Sequence, residues 1–166
     1  MKTNKICLYS MLGALTFSLK FAMAALPNIE PVSLLLVVYA VVLGADAIYP
    51  LITYIFLEIL IYGFGFWSLG YFYMWPTLVA VTIILFKISN NYNPWLWALI
   101  SGLYGLFFGA LYIPLYLISG GPIFALSWWI SGIPHDIIHG ISNFILCLTL
   151  FEPLTNTLLK LKKYYL

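Results

Sequence analysis

The fold class this sequence predicts is an all-α integral membrane protein of about six transmembrane helices, a single domain over residues 1–166. Three observations carry that expectation. The chain is 64% hydrophobic and 7% charged, with a mean hydropathy of +1.04, well outside the range of water-soluble domains. Prolines, glycines and polar clusters cut it into runs close to the about 20 apolar residues that a bilayer core requires. Its lysines gather where alternate ends of those runs would share one side of a membrane.

The first run, near 6–25, repeats small residues every four positions at Ser10, Ala14, Ser18 and Ala22. In lipid such a face lets backbones approach closely and serves a neighbouring helix or a partner chain. The same stretch carries a basic start and an A-x-A at Ala22 and Ala24, as a secretory signal does. The second and third runs, near 32–45 and 48–63, are divided by "GADAIYP", and the fourth lies near 72–88. The fifth, near 95–118, has a second small-residue stripe, Ser101, Gly105 and Gly109, expected to face the bundle interior. Residues 119–133, "SGGPIFALSWWISGI", are expected as an outer loop with a helical turn or a re-entrant piece, being short and interrupted. The sixth run, near 134–152, is expected to open at Pro134, with Asp136 in its first turn complementing the helix dipole.

With both termini cytoplasmic, Lys2, Lys5, Lys87, Lys160, Lys162 and Lys163 all face the cytoplasm. The outer connections 26–31, 64–71 and 119–133 and their flanks then bring Trp67, Tyr71, Tyr73, Trp75, Trp128 and Trp129 to one side. Any one of these fits a membrane belt, but six together fit stacking on a flat ligand.

An ionisable group near the bilayer centre costs about 2.5–3.5 kcal/mol on insertion scales, so each needs a partner or a task. Helix rise puts Lys20, Glu58 and His139 all about 8 Å below the outer end of their spans, with Asp136 at the mouth and Asn143 a turn deeper. Asn28 and Glu30, in "LPNIEP", lie above that layer. The substrate-binding set is therefore Lys20, Asn28, Glu30, Glu58, Asp136, His139 and Asn143 with the six aromatic residues. Lys20 could equally pair with Glu58 in a structural salt bridge. His135 and His139, at i, i+4 with Asp136 between, suit a metal, yet the chain has no further histidine. No metal and no cofactor are expected.

The composition excludes other classes. Seven lysines, no arginine and a net charge of +2 give no nucleic-acid surface. Cys7 and Cys147 form no C-x-x-C pair and read as buried thiols. There is no P-loop, H-E-x-x-H or G-x-S-x-G, so any work that needs ATP falls to another chain.

Three stretches resemble the substrate-binding S components of energy-coupling factor (ECF) transporters. They are "ALPNIEPVSLLLVVYAVVLG" at 25–44, "EILIYGFGFW" at 58–67 and "WWISGIPHDIIHGISNFILCLTLFEPL" at 128–154. The last is similar to a W-x-x-G-I-P-x-D-x-x-H-x-x-x-N-F pattern, in which His135 stands where an apolar residue is expected. The resemblance implies a compact six-helix bundle in the plasma membrane that is not an enzyme. It would capture a vitamin or related micronutrient from outside for ATP-driven uptake, cobalamin or a related corrinoid being the leading single candidate. It further implies partners: a membrane-embedded T subunit meeting the first helix at Ser10, Ala14, Ser18 and Ala22, two cytoplasmic ATPase subunits, and membrane lipid. The rival expectations are an intramembrane metal-dependent enzyme using His135, Asp136 and His139, and a membrane scaffold with no transport role.

Overall fold

The computed structural model describes residues 3–165, and within them the secondary structure is helical, with short connections and no strand. Lys2, used above for orientation, lies outside the described residues. The helices are α1 (Thr3–Ala22), α2 (Val32–Leu43), α3 (Ile48–Tyr62), α4 (Phe66–Ser89), α5 (Pro94–Leu106), the single turn α6 (Phe108–Leu111) and α7 (Ile113–Tyr165). Three helical stretches are long and apolar enough to cross a membrane: Val32–Tyr62, Phe66–Ser89 and Ile113–Tyr165. The flanks agree with that environment, since Leu60, Ile88, Ile118 and Ile123 are among many large apolar side chains left exposed.

The sequence of α2, VSLLLVVYAVVL, is apolar on every side and all of its residues are buried. A helix without a polar face belongs in the middle, and α2 packs against α1, α4, α5 and α7. It stops at Gly44, whose φ of 62° is costly for any residue with a Cβ. The expected boundary "GADAIYP" is a 3-10 turn over Gly44–Ala47 that leads into α3. Pro50 falls in the first turn of α3, where its missing N–H costs nothing.

α1 and α3 run side by side in the same direction. Tyr9 stacks on Tyr49 at one end and Lys20 reaches Glu58 near the other. Between them Gly13 approaches so closely that a Cβ would lie 2.6 Å from the Pro50 carbonyl oxygen. The Ser10, Ala14, Ser18 and Ala22 stripe lies one step round α1: Ala14 is half-buried and the other three are exposed. Cys7 is exposed as well, contrary to the expected buried thiol, while Cys147 is buried.

α5 and α7 form a long antiparallel hairpin. The small-residue stripe on α5 faces α7 as expected: a Cβ on Gly105 would meet the Gly140 Cα at 2.9 Å. The helical path falters at Phe107, and the Gly109 N–H donates to Asp136 Oδ1 at 3.0 Å.

The hairpin corrects two expectations. Residues 119–133 are helical rather than an outer loop, and the last helix does not open at Pro134. The chain reverses at Gly121, with φ 79° and ψ 178°, and Pro122 starts the descending helix. Pro134 lies inside that helix, so Asp136 caps α6 from the side instead of its own helix dipole. Likewise α4 starts at Phe66, so Trp67, Tyr71, Tyr73 and Trp75 sit on a helix and not in a connection.

The bundle has two chemically distinct ends. At one, Lys5 lies 3.8 Å from Asp46, and Lys162 donates to the Val42 carbonyl at 2.6 Å. Lys87, in the last turn of α4, and Lys163 belong to the same end. Among the described lysines only Lys20 lies at the other end, beside the connection that joins α1 to α2.

Candidate functional site

The end that holds Lys20 contains a cavity of about 440 Å³. Its wall comes from the top of α1, the 23–30 connection, α3, α4, α6 and α7: Lys20, Asn28, Glu30, Glu58, Tyr62, Trp67, Tyr71, Phe108 and His139 reach it together with apolar connection residues. The volume lies within the about 300–1,000 Å³ typical of small-molecule sites.

Lys20 Nζ donates to Glu58 Oε2 at 2.7 Å and to the Tyr71 hydroxyl at 3.3 Å. The Glu58 side chain is 2% exposed and that of Lys20 is 23% exposed. The ammonium is also ringed by aromatic faces, 5.3 Å from the Tyr71 centroid, 5.8 Å from Tyr54 and 6.0 Å from Tyr62. Cations are attracted to such faces, so the ion pair is gripped on several sides. Across the cavity His139 Nε2 lies 3.4 Å from Glu30 Oε1, without the alignment of a hydrogen bond.

Glu58 Oε1 is thus buried with no hydrogen-bond partner, while Glu30 Oε1 and His139 Nε2, both buried, have only each other at 3.4 Å. Buried polar groups are nearly always paired, so such orphans call for an explanation.

The connection over the cavity is pinned by Asn28. Its backbone takes φ 58°, which asparagine tolerates better than most residues. Its amide nitrogen lies 3.0 Å from His135 Nδ1, and its carbonyl accepts from the Ser142 hydroxyl at 3.0 Å. His135 thereby acquires a role that its sequence position did not suggest: it holds the connection to α7 from the exposed side.

The remaining expected site residues lie elsewhere. Trp75 is fully buried beneath the cavity, edge-on to Tyr54 and Tyr71. The Tyr73 hydroxyl donates to the Leu111 carbonyl. Trp128 packs against Tyr116, rings tilted by 31° with centroids 4.0 Å apart, some three turns or about 16 Å along α7 from His139. Trp129 is half-buried on the same helix. Asp136 is taken up by Gly109, and Asn143 donates to the Ser33 hydroxyl at 3.0 Å, deep between α2 and α7. The cavity thus gathers Lys20, Asn28, Glu30, Glu58, Trp67, Tyr71 and His139, and adds Tyr62 and Phe108, which sequence reasoning missed. Tyr62 lies four residues after Glu58, one turn along the same face of α3, and that spacing was the available signal.

Among the described residues no group of three or more His, Cys, Asp or Glu side chains is placed to hold a metal ion. His135 and His139 point to different partners, Asn28 and Glu30.

No family model matches this chain, and neither a curated protein nor a solved structure matches it.

Proposed function

We propose that the chain is the substrate-binding S component of an ECF-type transporter, capturing a vitamin or related micronutrient from outside the cell. The observation that carries this reading is the cavity at one end of the bundle, walled by the Lys20–Glu58 ion pair, by Glu30 facing His139, and by the rings of Trp67, Tyr71 and Phe108. A receptor needs such a chamber; a scaffold does not. Six membrane crossings follow if α1 to α4 count singly and the two arms of the α5–α7 hairpin supply the last two. With the lysine-rich end in the cytoplasm, the cavity opens outward. Uptake then requires a T subunit and two ATPase subunits, since this chain carries no nucleotide-binding motif. The cavity of about 440 Å³ suits a compact solute; a corrinoid is considerably larger and would fit only if the 23–30 connection moved aside.

Support for the reading also comes from the free Ser10, Ala14, Ser18 and Ala22 face, which leaves α1 a surface for a membrane partner. The test is direct. The full chain, purified into lipid nanodiscs, is titrated with riboflavin, thiamine, biotin, folate and cobalamin while tryptophan fluorescence is recorded, and copurifying membrane proteins are identified. Saturable quenching by one vitamin, with a T subunit in the eluate, is expected. Absence of both overturns the proposal.

A further inference from the structure

The lysine-rich end of the bundle holds a second pocket, which the receptor reading leaves unused. We infer that it binds the phosphate of an anionic phospholipid; the inference rests on the chain lying in a bilayer and is independent of what the cavity beside Lys20 captures.

The pocket encloses about 550 Å³ where three segments distant in sequence meet: the start of α1, the 3-10 turn after α2 and the end of α7. Lys5, Lys162 and Lys163 bring three ammonium groups to its wall, against one carboxylate, Asp46. That carboxylate is already served. The Tyr9 hydroxyl donates to Asp46 Oδ2 at 2.7 Å, and Lys5 Nζ lies 3.8 Å from the same oxygen. Among the described residues neither Lys162 nor Lys163 has a carboxylate within ion-pair distance. The side chains that line the pocket therefore carry an excess of positive charge.

Lys162 is also held in position. Its Nζ donates to the Val42 carbonyl at 2.6 Å, in the last turn of α2, where the helix dipole favours a cation. An ammonium has three N–H donors, so two remain for a ligand. Lysine serves phosphate as a point charge, and here a second ammonium, that of Lys163, lies one residue further along α7.

The surroundings decide which phosphate. Leu43 and Leu159 line the same pocket, and on the turns of α1 that follow Lys5 the side chains of Ile6 and Met11 are exposed. A phospholipid can set its phosphate on the lysines and lay its acyl chains along that apolar flank, which a soluble anion has no use for. Basic pockets between helix ends at a membrane interface suit anionic headgroups for this reason. Phosphatidylcholine would bring its own ammonium to a site that already has cations in excess.

The test is native mass spectrometry of the full chain, released from micelles that contain phosphatidylglycerol or phosphatidylcholine. Phosphatidylglycerol is expected to stay bound under collision energies that strip phosphatidylcholine, with a retained fraction about tenfold higher. Lys162→Gln combined with Lys163→Gln is expected to lower that retention by about tenfold or more. Lys87→Gln combined with Lys160→Gln removes the same charge from the same end outside the pocket, and should stay within about twofold of wild type. Equal losses in the two pairs would mean diffuse attraction to the lysine-rich end and overturn the site, as would wild-type chain that retains both lipids alike. Calorimetry with inorganic phosphate, on the chain in phosphatidylcholine nanodiscs, separates the two sources of phosphate. No saturable heat is expected; saturable binding overturns the lipid assignment in favour of a soluble anion. Should the double variant fail to fold, Lys163→Gln alone is compared with Lys160→Gln, since Lys163 makes no ion pair among the described residues. A loss of about fivefold is then expected for Lys163→Gln only, and equal retention by the two variants overturns the site.

Discussion

Glu58 shows how a single buried carboxylate depends on its one counter-charge. One oxygen accepts from Lys20 at 2.7 Å, and the other is buried with no hydrogen-bond partner. Removing the cation alone leaves an uncompensated charge, so Lys20→Met is expected to destabilise the protein by about 2–3 kcal/mol, at the low end for buried pairs because Lys20 is partly exposed. Replacing both partners with Lys20→Met and Glu58→Met is expected to recover most of that loss; thermal unfolding in detergent measures both. Trp67 and Trp128 differ just as sharply. Trp67→Ala should abolish ligand-dependent fluorescence quenching, whereas Trp128→Ala should keep it, since Trp128 packs against Tyr116 well away from the cavity. Equal effects of the two substitutions would refute the site as placed here. The heights of Lys20, Glu58 and His139 were legible in the sequence because helix rise converts position into depth. Azimuth was not. Depth could not reveal that Trp75 points under the cavity, that Asp136 turns to Gly109, or that Asn143 turns to Ser33.

At the scale of elements, the α5–α7 hairpin depends on glycine at its contact line. Gly109 serves twice, giving Asp136 room and donating its N–H to that carboxylate. Gly109→Val is therefore expected to cost about 1–3 kcal/mol by overpacking, and more than the same change at Gly132, where a Cβ meets nothing. Comparison of the two unfolding temperatures checks it, and equal shifts would contradict the packing account. The small-residue stripe that marks this contact could be read directly from Ser101, Gly105 and Gly109. The helix break could not be read from proline alone. Pro134 and Pro122 look alike in sequence, but only Pro122 follows a residue at positive φ, Gly121, which turns the chain before the helix begins. Proline removes one backbone donor, and a well-packed helix in an apolar setting absorbs that loss where neighbouring groups compensate. Conversely, "EILIYGFGFW" contained the true ends of α3 and α4: Gly63 has φ 80°, and Gly65 precedes α4 with its N–H donating to the Ser68 hydroxyl. The aromatic run after it looked like a loop only because tryptophan and tyrosine favour interfaces as much as helices.

Considered as a whole molecule, the bundle separates its two surfaces of interest. The cavity lies between α1, α3, α4 and α7, whereas the small-residue face of α1 points away from it, with Ser10, Ser18 and Ala22 exposed. If the chain is an S component, solute capture and partner docking are consequently separable by mutation. Ser18→Leu places a bulky side chain on the exposed face and leaves Leu8, Tyr9, Leu12, Gly13 and Thr16, the α1 positions buried against the bundle, unchanged. Helix pairs in lipid associate through close backbone approach, so one leucine at the centre of the stripe holds the partner helix away. Binding of the solute by the isolated chain is expected to remain within about twofold of wild type, because no cavity residue changes. Copurification of the T subunit, and uptake in cells that supply all partners, are both expected to fall by about tenfold or more, the effect of losing a hydrogen bond's worth of interface energy. A Ser18→Ala control keeps the face small and should behave as wild type in both assays. Should Ser18→Leu retain partner and uptake, α1 is not the docking helix; should it lose solute binding as well, the two surfaces are coupled and the separation argued from the fold is wrong.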